Sequence, residues 1–308
     1  MGVLSPERIL RGLQSPNLFL RELNRLYYKR LYTRPYNSSG IGIFEEDWDN
    51  LLVLDACRYD LFESRSDLDG ELESRISRGS STPEWLRANF ARRELHDTVY
   101  VTANPQLFRH REELDVSFHA EVNVWQEDGW DDEQQTVLPK TVTERALKAA
   151  DEYPNKRLLV HYIQPHYPFL TDDDQPFENS QAFLKPDEPG SWHQAVIGKI
   201  DPDPDTVWQA YGETLNRALP AVERLLDGLN GKSVVTADHG NMIGERASPF
   251  PIREWGHPRG VYTEELVKVP WLVIDDERRE IRFENPVNAE TDPADEEVEK
   301  RLEDLGYV

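Results

Sequence analysis

The 308-residue chain contains one cysteine, Cys57, so an internal disulfide framework is excluded. It has no apolar run long enough to cross a bilayer and no signal-peptide pattern at its start, and we therefore expect a cytoplasmic protein. Basic residues are few, with 35 Lys and Arg against 58 Asp and Glu and a net charge of −23. Because nucleic-acid binding depends on neutralising phosphates, this balance argues against a nucleic-acid partner.

The acidic residues are spread along the chain, which is typical of proteins from organisms with high internal salt. Residues 1–36 are the exception, since they carry seven basic and two acidic side chains. Their leucines recur at helical spacing and predict two short amphipathic helices separated at Ser15-Pro16. These helices could pack on the acidic remainder of the chain or make a peripheral contact with an anionic membrane.

Two apolar segments end in side chains that bind metals. Ser233–Ala237 is followed by Asp238, His239 and a glycine, and Asn50–Leu54 is followed by Asp55. Parallel strands buried on both faces read as such apolar runs, and their carboxyl ends lie at one edge of the sheet. Two carboxylates and an imidazole suit Zn²⁺ or Mn²⁺, although Asp55 alone could equally be a helix N-cap.

A candidate nucleophile lies in the segment from Arg78 to Trp85. Pro83 suits the first position of a helix and Glu84 its first turn, so the sequence predicts Thr82 as the N-cap. A hydroxyl at the positive end of a helix and next to a metal ion becomes a competent nucleophile. Ser81 is the alternative nucleophile.

These motifs resemble the alkaline phosphatase and sulfatase superfamily. The segment Leu51–Asp60 is similar to its opening strand, Val234–Glu245 to its Thr-x-Asp-His-Gly signature, and Gly79–Thr82 to the Gly-x-x-Thr of phosphoethanolamine transferases. The resemblance implies an α/β fold, a three-layer α/β/α sandwich around a mostly parallel sheet. It also implies one divalent ion held by four residues, namely Asp55, Thr82, Asp238 and His239.

Two histidines complete the site that the resemblance implies. His166, after the apolar run Leu158–Ile163, and His257 would contact the transferred group or protonate the leaving oxygen. Family members with two metals have an acid near the position of Gln164, so a second ion is left open. His161, within the same run, is predicted to be a core histidine with its hydrogen bonds satisfied.

True sulfatases carry a Cys or Ser in a Cys/Ser-x-Pro-x-Arg segment that is converted to formylglycine, and this chain has no such segment. We therefore expect a metal-dependent hydrolase or transferase that acts on phosphate esters through a covalent threonine intermediate. The alternatives are a sulfuric ester hydrolase without formylglycine and a non-catalytic metal-containing module of a glycan or cell-envelope pathway. The expected substrate is a phosphorylated, or else sulfated, small molecule, glycan or lipid-linked compound.

The remaining sequence suggests three parts. Residues 1–40 form the basic N-terminal segment, 41–285 the catalytic domain, and 286–308 an acidic tail with a helix at Glu296–Leu305. Residues 171–206, rich in Asp and Pro, are predicted to be a long loop over the site. Arg58 could contact a phosphate group, but it is predicted to pair with Asp60. Arg259 and Lys268 are further candidates for anion contact.

Overall fold

A seven-strand sheet among the described residues is the centre of the fold. The computed structural model describes residues 16–31, 33–171, 190–287 and 295–307. Five neighbouring strands run parallel in the order β4-β3-β5-β1-β6, β9 is antiparallel to β6, and β2 is antiparallel to β9. The strands are β1 (Asn50–Leu54), β2 (Glu71–Ile76), β3 (Glu94–Thr102), β4 (Ser117–Asn123), β5 (Arg157–Tyr162), β6 (Ser233–Ala237) and β9 (Lys268–Ile274), while β7 (Met242–Arg246) and β8 (Arg253–Gly256) form a separate hairpin.

Helices cover both faces of this sheet. They are α1 (Pro16–Tyr28), α2 (Tyr59–Arg65), α3 (Thr82–Phe90), α4 (Gln106–Arg109), α5 (Arg111–Leu114), α6 (Pro139–Glu152), α7 (Ser191–Val196), α8 (Pro204–Gly228), α9 (Glu264–Val267) and α10 (Asp295–Asp304). The fold is therefore α/β with a mostly parallel central sheet, as the sequence predicted.

Alternating residues of β1 supply the two cores. Leu52 and Leu54 are buried in one apolar cluster with residues of α6 and α8, whereas Leu51 and Val53 are buried in the other with Trp85 of α3. Side chains alternate between the two faces of a strand. Because both faces of the sheet are covered here, every residue of β1 is buried. Burial of each such leucine contributes roughly 1.5–3 kcal/mol to folding, and the strand ends are held rigidly as a result.

Element boundaries differ from the prediction in the long acidic segment. Helix α7 and the first turn of α8 lie within the stretch predicted to be a loop, and residues 172–189 lie outside the described residues. Helix α8 starts early because Asp203 caps it: its side chain accepts a hydrogen bond from the Thr206 N–H at 3.0 Å, and Pro204 follows. These local capping residues outweigh the loop-like composition of the segment.

Helix α1 packs on the rest of the molecule. Asn24 is buried and its side-chain amide donates to the Phe250 carbonyl at 2.9 Å, while Arg21 pairs with Glu254. The first helix predicted from the sequence lies in residues 1–15, outside the described part. None of the described helices is both long and apolar enough to cross a membrane.

Candidate functional site

The ends of two adjacent strands bring the predicted metal ligands together. Strands β1 and β6 pair in parallel with Leu54 opposite Ala237, so Asp55 and Asp238 follow at the same level of the sheet. Together with His239 they form a fully buried group whose ligand atoms all lie within 4.8 Å of one another. Two apolar strands in register therefore suffice to bring both carboxylates to one point.

The two oxygens of Asp238 have different surroundings. Oδ1 accepts hydrogen bonds from the backbone N–H groups of Ala56 at 3.0 Å and His239 at 2.8 Å. Oδ2 has no hydrogen-bond partner within the described residues, although it is buried. Because a buried carboxylate oxygen needs a partner, Oδ2 is suited to a cation.

The backbone after Asp55 is locally strained. Ala56 has φ = 57°, in the left-handed region that residues with a Cβ seldom adopt. Tyr211 of α8 holds it there, since its hydroxyl donates to the Ala56 carbonyl and accepts from the Arg58 N–H at 3.1 Å. The turn allows the Ala56 N–H to reach Asp238.

His239 directs its Nε2 at the carboxylates. Its Nδ1 lies 2.7 Å from the Gly240 carbonyl and donates there, which fixes the orientation of the ring. Its Nε2 lies 3.3 Å from Asp238 Oδ2 and 3.7 Å from Asp55 Oδ1. Two carboxylates and an imidazole nitrogen that converge in this way fit a divalent metal with mixed oxygen and nitrogen ligands.

Electrostatics at Asp55 agree with this fit. Burial raises the pKa of Asp55 well above its ordinary value, and the negative charge of Asp238 raises that pKa further. Hydrogen bonds from Tyr307, Asn104 and Thr82 oppose the shift but do not cancel it. A bound cation would remove the repulsion between the two carboxylates.

Thr82 reaches this group from the start of α3. Its Oγ1 lies 3.4 Å from Asp55 Oδ2 and 3.3 Å from His239 Nε2. The N-cap of the helix is Ser81, one residue earlier than predicted, because Thr82 already has helical geometry. Thr82 is thus the first helical residue and stands at the positive end of the helix dipole.

The adjacent serines lie in different environments. Ser80 Oγ accepts from the Gly260 N–H at 2.9 Å and lies 3.1 Å from the Pro258 carbonyl. Ser81 Oγ is buried and forms no hydrogen bond within the part of the chain that the structure describes. Of the residues on this turn, only Thr82 has a hydrogen bond to the metal-ligand group among the described contacts.

The two predicted catalytic histidines lie beside each other. His166 Nε2 and His257 Nε2 are 2.9 Å apart, and the His257 ring lies 4.7 Å from the His239 ring, centroid to centroid. Burial lowers the pKa of His166 to about 4 and that of His257 well below its ordinary value. Because His166 Nδ1 donates to the Tyr167 carbonyl at 2.5 Å, His257 is the donor between the two rings.

His161 is buried, and one of its ring nitrogens faces the metal-ligand group. Its Nδ1 lies 2.8 Å from the Tyr100 hydroxyl, but its Nε2 has no hydrogen-bond partner among the described residues. This nitrogen lies 3.9 Å from both Asp55 Oδ2 and Asp238 Oδ2. The prediction of a satisfied core histidine was therefore wrong for this nitrogen, since the strand direction aims it at the carboxylates.

Sequence reasoning missed two further residues. Asn104, after β3, donates its amide to Asp55 Oδ2 at 2.6 Å, and the Tyr307 hydroxyl donates to the same oxygen at 2.5 Å. Asn104 follows an apolar strand end as Asp55 does, so the same rule could have found it. Nothing local signals Tyr307, which lies 252 positions from Asp55 in the chain.

Other candidate residues lie elsewhere. Gln164 donates its amide to the Val137 carbonyl at 3.1 Å and is not among the grouped ligands. Arg58 pairs with Asp60, as predicted, and also with Glu245. Lys268 pairs with Glu264 at 2.8 Å, and Arg259 is exposed. None of these contacts places an additional cation beside Thr82.

No protein-family model and no curated protein sequence matches the chain significantly. Solved structures that it resembles include the periplasmic domain of the phosphoethanolamine transferase EptC from Campylobacter jejuni, with TM-score 0.45, 13% identity and coverage of 73% of this chain and 78% of that one. The corresponding EptC domain from Escherichia coli, a complex with Zn, gives a TM-score of 0.42 and 12% identity, with coverage of 72% of this chain and 72% of that one.

An alkaline phosphatase superfamily protein from Vibrio parahaemolyticus gives TM-score 0.38 and 12% identity, with coverage of 94% of this chain and 75% of that one. These structural neighbours are of the kinds that the sequence motifs resemble. At such low similarity they carry no functional argument, and the function must be argued from the site.

Proposed function

We propose that the protein is a metal-dependent hydrolase or transferase of phosphate esters with Thr82 as its nucleophile. The observation that supports this proposal is the position of Thr82 Oγ1, 3.3 Å from His239 Nε2 and beside a buried pair of carboxylates. The hydroxyl also stands at the N-terminus of α3, where negative charge is stabilised.

Four residues would hold the metal: Asp55, Thr82, Asp238 and His239. Their donor set of carboxylate, hydroxyl and imidazole is suited to Zn²⁺ or Mn²⁺. When bound, such an ion lowers the pKa of a neighbouring hydroxyl and stabilises negative charge on a phosphoryl group. The grouped ligands provide for one ion, and we propose a single-metal site.

In the first step Thr82 Oγ1 attacks phosphorus, the Oγ1–P bond forms and the bond from phosphorus to the leaving oxygen breaks. The Thr82 proton passes to Asp55 Oδ2, which lies 3.4 Å from Oγ1. The neutral pair formed by His166 and His257 contacts the leaving oxygen by a hydrogen bond, and that oxygen takes up a proton from solvent. In the second step water or an alcohol attacks phosphorus and releases its proton to solvent, the Oγ1–P bond breaks, and Thr82 regains its proton from Asp55. The enzyme is a hydrolase when water attacks and a transferase when an alcohol attacks.

Phosphate esters are favoured over sulfate esters because the site offers an unmodified threonine. The one cysteine, Cys57, is fully buried, and burial raises its thiol pKa well above the ordinary value, so it cannot replace Thr82. We propose a phosphorylated small molecule, glycan or lipid-linked compound as the substrate.

The test combines metal analysis with turnover of an aryl phosphate monoester, an aryl phosphodiester and an aryl sulfate. Thr82→Ala should lower kcat by at least about 10³-fold, whereas Thr82→Ser should keep part of the activity. Ser81→Ala is the matched control on the preceding residue and should remain within a few-fold of the unmodified protein. Activity that survives in Thr82→Ala but not in Ser81→Ala would transfer the role to Ser81.

Metal content and substrate choice separate the remaining alternatives. One equivalent of Zn²⁺ or Mn²⁺ with Thr82-dependent cleavage of the phosphate probes supports the proposal. Faster cleavage of the sulfate would identify a sulfuric ester hydrolase. Bound metal without turnover of any ester would indicate a non-catalytic module.

A further inference from the structure

Tyr307 places a hydroxyl group in the centre of the site. This hydroxyl donates to Asp55 Oδ2 at 2.5 Å, lies 2.9 Å from the Asn104 side-chain nitrogen, and lies 3.5 Å from Thr82 Oγ1. The tyrosine ring stacks on His166, with centroids 4.6 Å apart and planes 17° apart. Burial raises the pKa of Tyr307 well above 10, with the charge of Asp55 adding to the shift, so the phenol is neutral.

The end of α10 directs Tyr307 into the site. Gly306 has φ = 76°, and its N–H donates to the Glu303 carbonyl at 2.9 Å. The Tyr307 N–H donates to the Leu302 carbonyl at 2.9 Å. These two bonds form a Schellman motif, in which a glycine in the left-handed region ends the helix and reverses the chain.

Apolar burial holds α10 against the domain. Val298 and Leu302 of α10, and Leu305 just after it, are buried in the same cluster as residues of the central sheet. Arg301 lies over the Trp130 ring at 4.4 Å, and its guanidinium is 3.6 Å from Asp132. The position of Tyr307 is therefore set by a packed helix.

The Tyr307 hydroxyl occupies space that the proposed reaction needs. Attack by Thr82 requires a phosphorus atom about 3–3.5 Å from Oγ1, surrounded by oxygens that find hydrogen-bond donors. The phenolic oxygen already lies at 3.5 Å from Oγ1 and beside the Asn104 amide. Thr82 and Asp55 are fully buried, and the Tyr307 hydroxyl is in hydrogen-bond contact with both.

We propose that the segment Asp295–Tyr307 is an autoinhibitory plug, in which the Tyr307 hydroxyl occupies the subsite for a phosphoryl oxygen and must leave before a substrate can bind. The plug rests on the proposed function because it takes Thr82 as the nucleophile. A ligand with phosphate chemistry competes with Tyr307 for Asn104, and opening moves α10 away from the site.

Kinetics of Tyr307 variants give the first test. Tyr307→Ala removes the occupant and should raise kcat/KM for an aryl phosphate by at least about tenfold, the factor that one or two hydrogen bonds represent. Tyr307→Phe keeps the ring and should give a smaller rise. Arg301→Ala loosens α10 outside the site and should change activity in the same direction. A fall in kcat in Tyr307→Phe, or no change in any variant, would overturn the plug.

Thiol labelling tests the plug without turnover. Leu302→Cys keeps Tyr307 and places a buried thiol under α10, where it reacts only when the helix lifts. With Zn²⁺ present, inorganic phosphate or orthovanadate should accelerate labelling several-fold. Val222→Cys, buried in α8, is the matched control and should stay unreactive, as should the buried Cys57.

The outcomes of the two experiments distinguish failure of the plug from failure of the proposed function. Bound phosphate that leaves the labelling rate of Leu302→Cys unchanged overturns the plug and leaves the proposed function intact. Accelerated labelling in a protein that cleaves no ester would show that phosphate moves α10 but would contradict the proposed function and, with it, the autoinhibitory role. Labelling that rises equally in Val222→Cys reports general unfolding and overturns the plug.

Discussion

At the residue scale, the two carboxylate oxygens of Asp238 have different roles. Its Oδ1 accepts two backbone N–H groups and so holds the turns after β1 and β6 together, while its Oδ2 has no described partner. The same side chain repels Asp55 and contributes to the raised pKa there. The two carboxylates therefore repel each other, and a bound cation would relieve this repulsion.

Asp238→Asn tests the repulsion between Asp238 and Asp55. The amide oxygen can keep both backbone hydrogen bonds, and loss of the negative charge removes the repulsion with Asp55. We expect the metal-free variant to be at least as stable as the unmodified protein, but to lose metal-dependent stabilisation and nearly all turnover. Calorimetric Tm values with chelator and with Zn²⁺ provide the measurement.

Asp60→Asn is the matched control for that experiment. Asp60 is about half exposed and pairs with Arg58, so its replacement should leave the Zn²⁺-dependent rise in Tm unchanged. A metal-free Asp238→Asn protein that melts well below the unmodified one would show that the carboxylate is needed for folding itself.

At the scale of elements, a buried ion pair joins α1 to the helix that carries Thr82. Lys29 Nζ lies 3.1 Å from Glu84 Oε1, and both side chains are largely buried. Glu84 also accepts from the Tyr262 hydroxyl at 2.8 Å and from the Ser80 N–H at 3.2 Å. The segment just after α1 thus helps to fix the start of α3.

Lys29→Met should destabilise the protein by about 3–5 kcal/mol, because it leaves the Glu84 carboxylate buried without a positive partner. Denaturant unfolding followed by tryptophan fluorescence measures this change. The double variant Lys29→Met/Glu84→Gln should regain much of the loss. Arg25→Met, which removes a pair with Glu22 that is about one-third exposed, is the matched control and should cost less than about 1 kcal/mol. A similar loss in both single variants would mean that packing of α1, and not charge, is responsible.

At the scale of the whole molecule, the net charge of −23 acts against the compact state. Raising KCl from about 0.1 to 1 M shortens the Debye length from roughly 10 to 3 Å and screens this repulsion. We therefore expect the free energy of unfolding to rise with salt at pH 7.

The control is the same salt series near pH 4.7, the isoelectric point of the sequence, where the rise should largely disappear. Denaturant unfolding at each salt concentration gives the comparison. Equal salt dependence at both pH values would attribute the effect to salting-out of apolar surface.

The architecture and much of the site followed from local sequence patterns. Apolar runs of five or six residues predicted the central strands, and the residue after each run predicted Asp55 and Asp238, because parallel strands end at one edge. Thr82 was found from a helix-start signal, which was misplaced by one residue. Such signals depend on neighbours in the chain and can be read without the fold.

Only the tertiary structure decided which distant groups meet the strand ends. His161 points at both carboxylates because of the register of β5 against β1. Asn104 reaches Asp55 because β3 also pairs in parallel with β5, so that the ends of β3 and β1 lie at the same edge of the sheet. Tyr307 is brought from a segment 252 residues away by the burial of α10. Local patterns determined which residues carry the chemistry, whereas long-range packing determined their partners, because packing energy depends on shape and burial that no short window of sequence contains.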